Sequence, residues 1–128
     1  MDLNTLARIV IGHAWARRLA VIIALIVPAT CVNAAVYPSG FATVSAIESY
    51  PLYGNGDVIV VLTANSLSAT CPGGFWIRGT DPGANRTLAQ VLAAQAAGQP
   101  ITIWADTAVV WIGSAASTCL LQAARTTS

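Results

Sequence analysis

Hydrophobic and polar positions fall into three patterns along this chain. Near the N-terminus, Leu19 to Val27 is an unbroken apolar run. Further on, short apolar stretches separated by turn residues predict strands. Phe41 to about Tyr50 alternates, with Phe41, Thr43, Ser45 and Ile47 on one face and Ala42, Val44 and Ala46 on the other. Ala35 to Gly40 reads as a lead-in to it. Tyr53-Gly54-Asn55-Gly56 marks a turn, Asn-Gly being a strong hairpin signal. Asp57 to Thr63 (DVIVVLT) is rich in β-branched residues and reads as a buried strand. Phe75-Trp76-Ile77 predicts a short strand between the Cys71-Pro72-Gly73-Gly74 and Asp81-Pro82-Gly83 turns. Ile101 to Ala105, with a further piece at Ala108 to Ile112, and Thr118 to Ala124 complete the strands.

One segment carries helical spacing. Leu88, Val91, Leu92 and Gln95 share a face, alanines fill most of the rest, and Thr87 with Gln90 forms a capping-box pattern. Gly98 and Pro100 end it. A helix between the third and fourth of five strands is the arrangement of an OB-like barrel, so the expected fold is mainly β: an OB-like five-stranded barrel with one helix between strands 3 and 4. A small sandwich, or an α+β sheet with one helix, is the alternative.

The apolar run at the N-terminus changes how the rest is read. Arg8, Arg17 and Arg18 precede it, and Val32-Asn33-Ala34 follows as a small-x-small site. Basic region, short apolar core and cleavage site together predict a signal peptide helix over residues 1–34, with residues 35–128 as the mature domain. The run is too short for the roughly 20 apolar residues of a spanning helix. An uncleaved anchor over Leu19 to Val36 is the rival reading. Lipidation at Cys31 is disfavoured by Thr30, where a lipobox wants Gly or Ala, and the surroundings of Arg17-Arg18 do not suit twin-arginine export.

Removing the leader alters composition and chemistry together. The whole chain has 128 residues, 55% hydrophobic and 9% charged, and contains no Lys. After cleavage Arg78, Arg86 and Arg125 stand against Glu48, Asp57, Asp81 and Asp106, a formal net charge of −1. That balance argues against nucleic acid and against a polybasic membrane patch. No stable membrane insertion is expected of the mature domain. Cys71 and Cys119 remain, and an even count in a small exported domain predicts a disulfide. In an OB-like barrel the strands that would carry them, the third and fifth, are neighbours. His13 departs with the leader, so no serine keeps an imidazole base and no metal-ligand set remains; neither catalytic residues nor a cofactor is expected. The four acids are scattered, and a pair meeting in space, as in a small hydrolase, is the lesser alternative. Asn85-Arg86-Thr87 is an N-glycosylation sequon, with meaning only in a eukaryotic secretory route, whereas leader and composition look bacterial.

Cys71 before an aromatic strand, the stretch from Thr87 to Gln99, Ile101-Thr102-Ile103-Trp104, and Cys119 in the last strand together resemble a group of small exported OB-type proteins. Its best-known members are the pentameric binding subunits of subtilase-type bacterial toxins. The resemblance covers about half of the mature chain and implies a fold and a binding role; no glycan-binding motif can be matched residue by residue. The expected function is an exported, non-catalytic binding module for a glycan or protein ligand. A monomeric periplasmic or envelope accessory protein is the alternative. Trp104 and Trp111 are the candidate ligand-binding or interface residues, and Trp76 reads as core. The charge-free, Ala-rich helix over residues 88–97 is a candidate homo-oligomer face.

Overall fold

A computed structural model describes residues 35–127. The expected signal peptide and its cleavage site lie outside them. The described chain is mainly β: six strands and one helix, in the order β1 (Val36–Ala42), β2 (Val44–Tyr50), β3 (Asp57–Leu62), β4 (Phe75–Ile77), α1 (Ala84–Ala97), β5 (Ile101–Val110) and β6 (Cys119–Thr126). All strands belong to one sheet in the order β1-β5-β6-β4-β3-β2. Neighbours are antiparallel except β4 and β6, which run parallel.

This differs from the expected five-stranded closed barrel. β1 and β2 are not paired with each other, so hydrogen bonding does not close the sheet. The extra strand comes from the supposed lead-in. It contains Pro38, and proline is tolerated in an edge strand. β1 shifts register between Pro38 and Phe41, and at that irregularity the Ile103 N–H donates to the buried Ser39 Oγ at 3.0 Å. Thr43 alone separates β1 from β2, where one strand was expected from Phe41 onward. The two pieces expected at 101–105 and 108–112 are one strand. Its pairing with β6 slips between Asp106 and Val110, where the Asp106 carboxylate accepts the Ala108 N–H at 2.9 Å.

Strand alternation sends side chains to two faces. One face holds the main core: Val58, Val60 and Leu62 of β3, Phe75 and Ile77 of β4, Ile101, Ile103 and Ala105 of β5, and Cys119 and Leu121 of β6. The other face carries a smaller cluster of Ile59, Trp76, Leu120 and Trp111, with Tyr50, Val61 and Val109 against it. Cross-strand pairing aligns Val36, Asp106, Leu120, Trp76, Ile59 and Glu48 in one row over all six strands. On the core face Cys71 and Cys119 form a fully buried disulfide with Cα atoms 5.5 Å apart. It closes a loop across 48 positions and stands beside the parallel β4–β6 pair. A bridge over a loop of that size contributes about 2–5 kcal/mol.

The helix starts earlier than its capping-box pattern predicts. Gly83 is the N-cap with no side-chain cap, and Thr87 lies inside the first turn. The Asp81-Pro82-Gly83 turn feeds the helix directly, since the Ala84 N–H donates to the Asp81 carbonyl at 3.0 Å. The buried face is accordingly Val91 and Ala94, with Leu88 and Ala84 beside them. Leu92 and Gln95, expected on that face, are exposed. Gly98 ends α1 in the left-handed region at φ 62°, as glycine readily does. No helix among the described residues is long and apolar enough to cross a membrane.

Candidate functional site

The smaller cluster opens at one end into a cleft of about 330 Å³. Three segments meet there: the loop over 51–56 between β2 and β3, the residues following β4, and the end of β5 with Trp111 and Ile112. Tyr53, Trp76, Arg78, Val109, Trp111 and Ile112 supply most of the wall. A hairpin whose turn carries Gly54-Asn55-Gly56 needs left-handed backbone, and Gly54 and Asn55 adopt it at φ 52° and 63°. Gly54 also lies so close to the Asp57 carboxylate that a Cβ would strike it.

Asp57 organises this end of the molecule. It is 3% exposed, at the first position of an otherwise apolar strand. Its Oδ2 accepts the Trp111 indole N–H and its Oδ1 the Gly79 backbone N–H, both at 2.9 Å. A buried carboxylate is tolerated when it is hydrogen-bonded in this way. Trp111 is thus fixed from one edge, while Tyr50 packs tilted against it at 4.6 Å and Tyr53 edge-on at 5.5 Å between ring centroids. The Arg78 guanidinium lies 5.1 Å from the Trp76 ring centroid, the range of a cation–π contact, and pairs loosely with Asp81 at 3.8 Å. The Trp76 indole N–H is buried with no partner. The Tyr50 hydroxyl donates to Glu48 at 2.7 Å. That bond to a carboxylate, then burial, then the carboxylate's charge, raise the Tyr50 phenol above its ordinary 10.0.

The residues singled out from sequence separate here. Trp111 lines the cleft but is itself 4% exposed, so its ring is wall rather than open platform. The exposed ring is that of Tyr53. Trp76 is buried as expected, though on the smaller cluster rather than in the main core. Trp104 is not in the cleft. It stands half-buried beside Arg125, whose guanidinium lies 5.5 Å from the Trp104 ring centroid and 5.6 Å from that of Phe41. The four acids of the domain each have a separate partner: Glu48 with Tyr50, Asp57 with Trp111 and Gly79, Asp81 with Arg78, and Asp106 with Ala108. Among the described residues no three of His, Cys, Asp and Glu gather as a metal site would require.

Sequence reasoning missed Asp57, Tyr50, Tyr53 and Arg78. The sequence places Asp57 at the start of a buried strand, directly after Asn-Gly, without a role of its own. A faint signal existed, since a carboxylate opening the run Val58 to Leu62 must either fray that strand or find donors. Fold and site together define a class: a small, mainly β, disulfide-linked domain with an aromatic cleft on the side of the sheet away from its core. Comparison with protein-family models, curated proteins and solved structures finds no significant match, so the class is as far as similarity takes the chain.

Proposed function

We propose that this protein is an exported, non-catalytic binding module and that its cleft takes a saccharide. The observation that carries the reading is the cleft: an exposed Tyr53 ring, aromatic and aliphatic walls, and the Arg78 and Thr80 side chains as polar contacts. Sugars offer an apolar ring face to an aromatic and hydroxyls to such groups, and pockets of this kind combine apolar lining with a few polar contacts. The engagement of each acid with its own partner supports binding over hydrolysis. The buried disulfide is compatible with an oxidising location outside the cytoplasm.

An OB-type chain path fits the reading. In support stand the parallel β4–β6 pair, the helix between β4 and β5, and the near-continuity of β1 and β2, which lets one bent strand serve both outer positions of the sheet. In that fold the loops after the first strand and before the last bind saccharides and oligonucleotides. The corresponding loops here are those of Tyr53 and Trp111. Kinship with toxin binding subunits belongs to the same proposal. So does homo-oligomer formation through α1, whose exposed Ala89, Leu92, Ala93 and Ala96 carry no charge.

A glycan array with the processed protein tests the ligand. Binding is expected to fall at least tenfold in Tyr53→Ala and to persist in Trp104→Ala. Equal binding by wild type and Tyr53→Ala would remove the cleft from the reading. Mass spectrometry of the exported protein is expected to show a chain beginning at residue 35 with Cys71 and Cys119 joined. Light scattering separates an assembly from a monomeric envelope accessory protein, the second reading.

A further inference from the structure

The most exposed large apolar side chains of the described domain are Leu52, outside the cleft, and Ile112, at its rim, at 97% and 92%. They occupy two different loops that meet at one end of the sheet. Their exposure is built in, because the loops are braced behind them. Tyr53 packs on Trp111 at 5.5 Å, Tyr50 on Trp111 at 4.6 Å, and the Trp111 indole is held by Asp57. The Trp111 N–H also donates to the Thr118 carbonyl at 2.8 Å across the base of its loop. Each tip sets a bare aliphatic beside an aromatic, in opposite order: Leu52-Tyr53 and Trp111-Ile112.

We propose that these two tips dock the domain onto a lipid bilayer surface, with Leu52 and Ile112 entering the interfacial layer. Three observations favour this occupant. Residues 49–56 and 107–124 contain no charged side chain, and the neighbouring Asp57 is buried with both oxygens engaged, so the two loops themselves bring no ion to the surface; the charge nearby is Arg78 in the cleft wall, which pairs with Asp81. The aliphatic tips with Tyr53 and Trp111 behind them follow the polarity gradient of the interface, where Tyr and Trp settle at headgroup level and aliphatic side chains go deeper. The exposed apolar side chains are also few: Leu52, Tyr53, Val110 and Ile112 would be a small part of the roughly 20–30 residues a side that a stable protein interface engages. The docking is shallow and reversible, does not need a basic patch, and does not depend on the cleft being occupied.

Co-sedimentation of the processed protein with phosphatidylcholine vesicles tests the proposal, with phosphatidylglycerol-containing vesicles beside them. The expected result is binding to the neutral vesicles that is insensitive to salt. It should fall at least tenfold in the double variant Leu52→Ser/Ile112→Ser and stay unchanged in Leu92→Ser on α1. Ile112→Trp is expected to bind more tightly, which keeps the test sharp should the double variant fold poorly. Failure of the wild type to bind neutral vesicles overturns the proposal, as does binding confined to anionic vesicles and lost in salt. A wild-type dimer that the double variant dissociates, without vesicle binding, overturns it in favour of a second copy.

Discussion

Trp111 and Trp104 lie close together in the sequence, yet they end in different physical situations. Trp111 is buried, hydrogen-bonded through its indole to a buried carboxylate, and packed by two tyrosines. Trp104 is half-buried and meets the guanidinium of Arg125, which it shares with Phe41. The difference lies in what the neighbouring strands bring. Beside Trp111 the hairpin loop over 51–56 and the start of β3 supply Tyr53 and Asp57. Beside Trp104 the partners are Pro38 of β1 and Ala123 of β6, which offer neither an aromatic ring nor a hydrogen-bond acceptor in their side chains. An aromatic residue becomes part of a rigid wall when neighbours satisfy its polar edge as well as its faces.

Replacing each tryptophan probes this contrast most strongly. Trp111→Ala is expected to cost about 3–5 kcal/mol in urea unfolding, the range for a buried tryptophan. Trp104→Ala should cost about 1–2 kcal/mol, since only part of its surface is removed from water. Equal losses would break the comparison. Asp57→Ala comes next. It leaves the Trp111 and Gly79 N–H groups buried without an acceptor, and each such group costs about 1–3 kcal/mol. Asp57→Asn keeps one carbonyl acceptor and should lose less. If both variants melt like the wild type, the carboxylate does not organise the cleft. Arg125→Ala sharpens the other side: a cation–π contact at an exposed site is worth about 0.5–1 kcal/mol. A loss above that range would mean that Trp104 depends on its arginine as Trp111 does on Asp57. The smallest effect concerns Tyr50. Its phenol should titrate above the ordinary value in an absorbance titration, and Glu48→Gln should bring it down by removing the carboxylate that favours the protonated form. An unchanged titration would take Glu48 out of the account.

Much of the secondary structure was legible, because it rests on local pattern. The β-branched run after Asp57, the apolar pairs in Ile101-Thr102-Ile103 and the Gly98-Gln99-Pro100 stop fix two strands and one helix end by short-range chemistry alone. Errors fell where a local signal was overridden. Pro38 and Gly40 look like loop residues, but β5 offers the segment an edge on which to pair. Thr87 and Gln90 look like a cap, but the preceding turn already starts the helix. The site was less legible than the fold. Its aromatic residues were visible and two were named, yet only one of those two, Trp111, lines the cleft.

What the sequence determined by itself was the class of the fold, the helix between β4 and β5 and the pairing of Cys71 with Cys119. Each follows from periodicity or from Cys71 and Cys119 being the two cysteines of residues 35–128. What only the tertiary structure decided was that Trp111 joins Trp76 in the smaller cluster, that Asp57 is buried and doubly hydrogen-bonded, and that the loops of Tyr53 and Trp111 meet at one end. Those facts depend on strand register and on loops brought together from distant positions. A contact between residues 57 and 111 has no local signature, because its energy arises only once both strands belong to the same sheet.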